Sequence, residues 1–170
     1  MSARIRVGIS SCLLGQAVRY DGGHKYSDCI AESLGRQFDL VPYCPEVAIG
    51  LGVPRPPIRL IQGMHGTRAC RIAEPAFDVT DPLAAYAGSV AAQRHDVSGY
   101  IFKAGSPSCG MQGVPVFAAE GMPLSAGAGV YAATLMRLLP ELPCEDELRL
   151  MNAEVRESFI ERVLAYHRSR

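Results

Sequence analysis

The apolar positions change their period along the chain, and those changes divide it into elements. Arg4 to Ser10 carries alternating and β-branched apolar residues, the pattern of a strand, and runs into a Gly-rich loop that extends through Lys25. Asp28 is placed to cap a short helix ending at Gln37, and Phe38 to Tyr43 forms a second strand closed by Pro45. Ile58 to Ile61 and Arg68 to Ala73 make a hairpin pair around Gly63 and Gly66. Asp81-Pro82 starts a helix whose Ala-rich body runs from Leu83 to His95. Gly99 to Ala104 is a further apolar strand, Ser125 is placed to cap a helix running to Leu139, and Leu142 to Cys144 is a last short strand. Leu148, Met151, Val155, Phe159, Val163 and Leu164 recur at three- and four-residue steps, which gives a closing helix over about 146–168 one apolar stripe.

Strands alternating with helices predict an α/β fold in which a mostly parallel sheet carries helices on both faces. The 170 residues suit a single domain, 1–170, and no repeat, linker or low-complexity segment divides them. The 17 basic and 17 acidic side chains leave no net field to draw in nucleic acid or an anionic membrane. The apolar run from Val7 to Val18 is broken by Ser10, Ser11 and Gln16 and is followed by no small-residue cleavage site, so it does not read as a signal peptide. The longest uncharged stretch, Gly121 to Met136, is interrupted by Gly and Pro and falls short of the roughly 20 residues of a membrane span. The expectation is a cytoplasmic protein with no membrane partner.

A core of this size needs no disulfide staples, so the 6 cysteines are read as buried hydrophobes or as ligands. In an open α/β sheet, ligands gather outside the carboxyl ends of the strands. Cys12 follows the first strand, Cys44 ends the second, and Cys109 follows the Gly99 to Ala104 strand, so all three fall in loops on one edge. Each of the three is embedded in Gly, Pro and Ser. Cys29 pairs at helical spacing with Ser33, and Cys70 and Cys144 sit within strands, so these three read as packing residues. Three thiolates suit a zinc ion with His24 or His65 as fourth ligand, or a cubane iron–sulfur cluster that leaves one iron open. The lack of any Cys-x-x-Cys pair favours the cluster.

The residues around these cysteines form long, ordered motifs. They are Ser10-Ser11-Cys12-Leu13-Leu14-Gly15 with Val18 to Lys25, then Pro42-Tyr43-Cys44-Pro45-Glu46 with Gly50-Leu51 and Pro54-Arg55-Pro56-Pro57, then Ser106-Pro107-Ser108-Cys109-Gly110. Together they resemble the thiouracil desulfurase family over roughly residues 5 to 145. The resemblance implies a [4Fe-4S] cluster on Cys12, Cys44 and Cys109 with one iron lacking a protein ligand. It also implies that Glu46 and Ser106 act on the substrate, and that sulfur leaves a thiolated pyrimidine as hydrogen sulfide without net redox change. The segment Arg156 to Val163 resembles a junction found in longer relatives that carry a second domain.

That chemistry is coherent with the residue types. A thiocarbonyl sulfur is a soft donor that matches thiolate-ligated iron, Glu46 is two residues from Cys44 and suits a general base, and Ser106 can donate to the ring or relay a proton. Gly22-Gly23-His24-Lys25, with Arg55 and Arg59, can present N–H groups and cations to a phosphate, or the glycines only shape a turn. Asp78, Asp81 and His95 read as helix-end or surface groups. The alternatives are 4-thiouridine desulfuration in RNA, which the missing positive charge disfavours, and an iron–sulfur or zinc sensor without catalysis.

Overall fold

The computed structural model describes residues 3–93 and 96–170. Two four-stranded sheets form the frame. In the first, β1 (Arg6–Ser10), β2 (Asp39–Tyr43), β5 (Tyr100–Phe102) and β8 (Cys144–Asp146) lie in the order β2-β1-β5-β8, and every pairing is parallel. The second has the order β4-β3-β6-β7 and is mixed: β3 (Ile58–Gly63) pairs antiparallel with β4 (Gly66–Arg71) and parallel with β6 (Val114–Phe117), which pairs antiparallel with β7 (Pro123–Gly127).

The parallel sheet is covered on both faces, as the alternation of strands and helices predicts. On one face Val7, Ile9 and Ile101 pack against Ile30 and Leu34 of the helical segment 28–37, which is π-helical over Ile30–Leu34 and ends in α1 (Gly35–Gln37), and against Phe159, Ile160 and Val163 of α5 (Ala153–Arg168). On the other face Tyr100 and Phe102 meet Ala87 and Val90 of α3 (Thr80–Ala92) and Tyr131, Ala132 and Leu135 of α4 (Val130–Leu138). Leu83 and Val130, on the same two helices, also pack on Leu60, Val114 and Val116, so α3 and α4 join the two sheets. A short helix, α2 (Pro45–Ala48), follows β2 directly. Among the described residues no helix is long and apolar enough to cross a membrane.

Four expectations need correction. The last short strand, expected over Leu142 to Cys144, is β8 at Cys144–Asp146, where Glu145 and Asp146 pair with Ile101 and Phe102. Ser125 caps no helix; it sits in β7 opposite Val116, and α4 begins at Val130. Strands β6 and β7 escape the apolar pattern because each contains a proline and β7 is an exposed edge with nothing to alternate against. The closing helix starts later than its stripe suggests: Leu148 and Met151 are 68% and 60% exposed, and Asn152 caps α5 by accepting from the N–H groups of Glu154 and Val155 at 2.9 and 3.2 Å. The helix expected up to His95 ends at Ala92 as α3, and His95 lies outside the described residues.

Gly8 shows how tightly the parallel sheet is closed. It pairs with Tyr100, and a Cβ at this position would stand 2.6 and 2.8 Å from two ring carbons of that tyrosine. Tyr100 is fully buried, with its ring 4.4 Å from that of Phe102 and its hydroxyl bonded to that of Tyr131 at 3.0 Å, so it has nowhere to move. Gly8→Ala is expected to cost about 1–3 kcal/mol of stability, the scale of overpacking a core, read from the midpoint of a denaturant melt.

Candidate active site

All four strands of the first sheet end on one edge, because all run the same way. Cys12 lies two residues past the end of β1 in a 3-10 segment (Ser11–Leu14), Cys44 is the residue between β2 and α2, and Cys109 is in the loop after β5. A cavity of about 250 Å³ opens at this edge, and Cys12, Cys44, Cys109, Glu46 and Ser106 all line it. Arg19, Tyr20, Tyr43, Arg55 and Lys103 complete much of its wall. It sits beside the β1/β5 boundary, where the order β2-β1-β5-β8 reverses the direction of its crossovers, the usual place for a ligand in such a sheet. His24 and His65 do not line it. Among the described residues no three His, Cys, Asp or Glu side chains are gathered closely enough to hold a single metal ion.

Each loop is fixed by backbone bonds. The Cys12 carbonyl accepts from the N–H groups of Gly15 at 3.2 Å and Lys25 at 2.9 Å, and Gly15 takes the positive φ of 87° that this turn requires. Gly22 and Gly23 direct their N–H groups to the Arg19 carbonyl and the Asp21 carboxylate, each at 2.9 Å. The Gly22–Lys25 stretch therefore shapes a turn around Cys12, with the N–H groups of Gly22, Gly23 and Lys25 bonded within the protein and not presented to a phosphate. The Cys109 loop is docked on the start of α4: the carbonyls of Gly110, Pro107 and Ser108 accept from the N–H groups of Gly129, Val130 and Ala132 at 2.7, 3.0 and 3.0 Å. These are the donors that a helix N-terminus otherwise leaves open.

Glu46 is held from two sides. Its Oε1 accepts from Arg55 Nε at 2.9 Å and its Oε2 from the Ser108 hydroxyl at 2.7 Å, with the Arg55 and Glu46 side chains only 4% and 15% exposed. Arg55 is thus the counter-ion of Glu46. Arg59 lies over the Phe117 ring at 5.1 Å and does not line the cavity. Ser106 Oγ accepts from the N–H groups of Ser108 and Cys109 at 3.1 and 2.9 Å, so it orders the turn that presents Cys109, and among the described residues its own proton has no acceptor. Sequence reasoning did not single out Ser108, nor Lys103, whose Nζ pairs with the buried Glu147 at 2.8 Å where β5 and β8 end. The rule that found the cysteines, proximity to a parallel strand's carboxyl end, applies to Lys103 and Glu147 as well.

Of the other cysteines, Cys70 is buried in β4 and Cys144 packs against the core from β8, whereas Cys29 on the 28–37 helical segment is half-buried and its Sγ accepts from Arg156 at 3.4 Å; none of the 6 thiols is in a disulfide. Asp78 is a helix-end group, accepting from the Thr80 N–H at 2.9 Å, and Asp81 is largely exposed.

The sequence model of the 2-thiouracil desulfurase family matches residues 7–147 of this chain. The chain belongs to that family, and so to a family of enzymes. It is 32% identical over 147 residues to the uncharacterized protein YbbK of Bacillus subtilis strain 168, covering 82% of this chain and 95% of that protein. Among solved structures it is similar to the [4Fe-4S]-dependent thiouracil desulfidase TudS, with a TM-score of 0.70 and 32% identity over 91% of this chain and 97% of TudS.

Burial dominates the electrostatics of the three thiols. It pushes Cys12, Cys44 and, furthest, Cys109 above the ordinary thiol range, while Lys103 pulls Cys12, and the Val47 N–H followed by Arg55 pull Cys44, part of the way back. Burial also pushes Cys144 up to about 12. An unfolded chain gives up these protons near pH 9 while the folded metal-free protein retains them, so folded-state stability is complete below that pH and is lost above it. Denaturant melts of metal-free protein from pH 7 to pH 10.5 are expected to show stability falling above about pH 9, with a slope approaching ~1.4 kcal/mol per pH unit for each protected thiol. Cys109→Ala should make the slope shallower.

Proposed function

We propose that this enzyme removes sulfur from a thiolated pyrimidine as hydrogen sulfide, using a [4Fe-4S] cluster held by Cys12, Cys44 and Cys109 with one iron left without a protein ligand. The observation that carries the reading is that the three thiols, Glu46 and Ser106 line one cavity in a chain so similar to a [4Fe-4S]-dependent thiouracil desulfidase. The donor set fits the group. Three soft thiols share the cavity wall, and no fourth cysteine and no histidine is among the residues that line it. When bound, the cluster supplies a soft Lewis acid for the thiocarbonyl sulfur.

The protein's own groups account for the rest of the reaction. Water replaces sulfur at the ring carbon: a C=O bond forms, the C=S bond breaks, and both protons of the water depart with the sulfide, so no electron is gained or lost. Glu46, fixed beside Cys44 and facing the cavity, takes the proton of the attacking water. Ser106, whose hydroxyl proton has no acceptor among the described residues, donates to the ring of the substrate or passes a proton to the departing sulfur. Tyr20 and Tyr43 give the cavity aromatic surface suited to a planar base. Free thiobases or nucleosides are favoured over RNA, because the chain carries as many acidic as basic groups and the Arg55 and Lys103 cations of the cavity are paired internally. The 6 unpaired cysteines suit the reducing cytoplasm.

Two measurements on anaerobically reconstituted protein test this. Sulfide release across a panel of 2- and 4-thiopyrimidines, their nucleosides and thiolated RNA should be fastest for the small molecules; release from RNA alone would reverse the substrate preference. Replacing Cys12, Cys44 or Cys109 with Ala should remove most of the iron and the sulfide release, and replacing Cys29 or Cys144 should leave both. Equal iron retention in all five variants would refute the ligand set.

A further inference from the structure

Two hydroxyls stand in the turn that presents Cys109, and their protons go to different places. Among the described residues the proton of Ser106 is given to no protein acceptor, whereas its oxygen accepts two backbone N–H groups. The Ser108 hydroxyl donates to Oε2 of Glu46 at 2.7 Å. A carboxylate paired with a guanidinium only accepts, so the single proton of Ser108 is committed to this bond.

The bond matters for the direction in which Glu46 points. A donor on one oxygen alone, here Arg55 on Oε1, leaves the carboxylate free to turn about its terminal torsion, which has broad wells and little preference of its own. A second donor on Oε2 removes that freedom. Ser108 is built to hold still: it is 0% exposed, its N–H is bonded to Ser106, and its carbonyl accepts from the Ala132 N–H at 3.0 Å. Gly129 packs so closely that a Cβ there would stand 2.5 Å from the Ser108 carbonyl carbon. The donor therefore projects from a fixed turn, one residue before Cys109.

We propose that Ser108 is a positioning residue for Glu46, locking the orientation in which that carboxylate meets the attacking water. The inference rests on the function proposed above and divides the Ser106-Pro107-Ser108 segment into a hydroxyl for the substrate and a hydroxyl for the base. It also ties the base to the loop of a proposed ligand, so the loop that brings Cys109 to the cavity brings the donor that aims Glu46.

The test is a double-variant cycle on cluster-loaded protein with thiouracil as substrate, using Ser108→Ala, Glu46→Gln and the two together. Ser108→Ala should keep its iron, leave KM within about twofold and lower kcat about 10- to 100-fold, the range for a lost hydrogen bond to a charged group. Glu46→Gln should lower kcat roughly 10²-fold or more. The double variant should be no slower than Glu46→Gln, since a residue that acts only through Glu46 has nothing left to position. Effects that multiply, or a raised KM at unchanged kcat, would overturn the proposal by making Ser108 a substrate contact; loss of iron from Ser108→Ala would overturn it by making Ser108 a support for the ligand loop. Wild-type protein that loads its cluster and releases no sulfide from any thiopyrimidine would instead refute the function beneath the proposal. The same cycle run by denaturant melts on metal-free protein separates these cases, because a coupling of about tenfold in the unfolding constant is expected there whatever the reaction, and its absence would overturn the contact itself.

Discussion

The common direction of β1, β2, β5 and β8 is the constraint on which the site depends. A parallel sheet has to return each chain crossing along its faces, so every strand's carboxyl end opens on the same edge and every loop leaving it meets the others there. Residues far apart in the chain, Cys12, Cys44, Lys103, Cys109 and Glu147, arrive at that edge for this reason alone. The cost is that the strands must be covered on both faces. The helical segment 28–37 and α5 cover one face, and α3 and α4 the other, with α4 also serving as the platform for the Cys109 loop.

The edge is electrically balanced before any ligand arrives. Glu46 faces Arg55, Glu147 faces Lys103, and the three thiols keep their protons because burial makes a bare thiolate costly. A buried carboxylate without its partner would be strongly destabilising, so both pairs are structural requirements as well as chemical equipment. The thiols differ, since they can be neutral at little cost, and a buried thiol gives up its proton readily only in exchange for a metal.

How much of this the sequence discloses follows from what kind of interaction fixes each part. Strands β1, β2 and β5 of the parallel sheet, the β3–β4 hairpin and the three edge cysteines were legible because burial on both faces writes itself as apolar runs followed by loop residues, whereas β8, with Glu145 and Asp146, carries no such run. Strands β6 and β7 were not, since Pro115, Pro123 and Ser125 carry no such pattern and their pairing depends on partners distant in the chain. Within the site, Glu46 and Ser106 were reached through resemblance to a family, while the Arg55–Glu46–Ser108 chain was invisible: residues 46 and 108 are joined by a hydrogen bond across 62 positions that no local rule reports. Arg55 was open to two readings, an aid to a phosphate site or a residue near a turn, because a guanidinium near a Gly-rich loop stays ambiguous until its partner, Glu46, is seen.

One spectroscopic experiment bears on the whole account. Protein reconstituted anaerobically with iron-57 should give the Mössbauer spectrum of a four-iron cluster, and adding thiouracil should change the parameters of one iron while the other three, on Cys12, Cys44 and Cys109, stay as they were. Four irons that remain unchanged while sulfide is released, or sulfide release without any cluster, would contradict it.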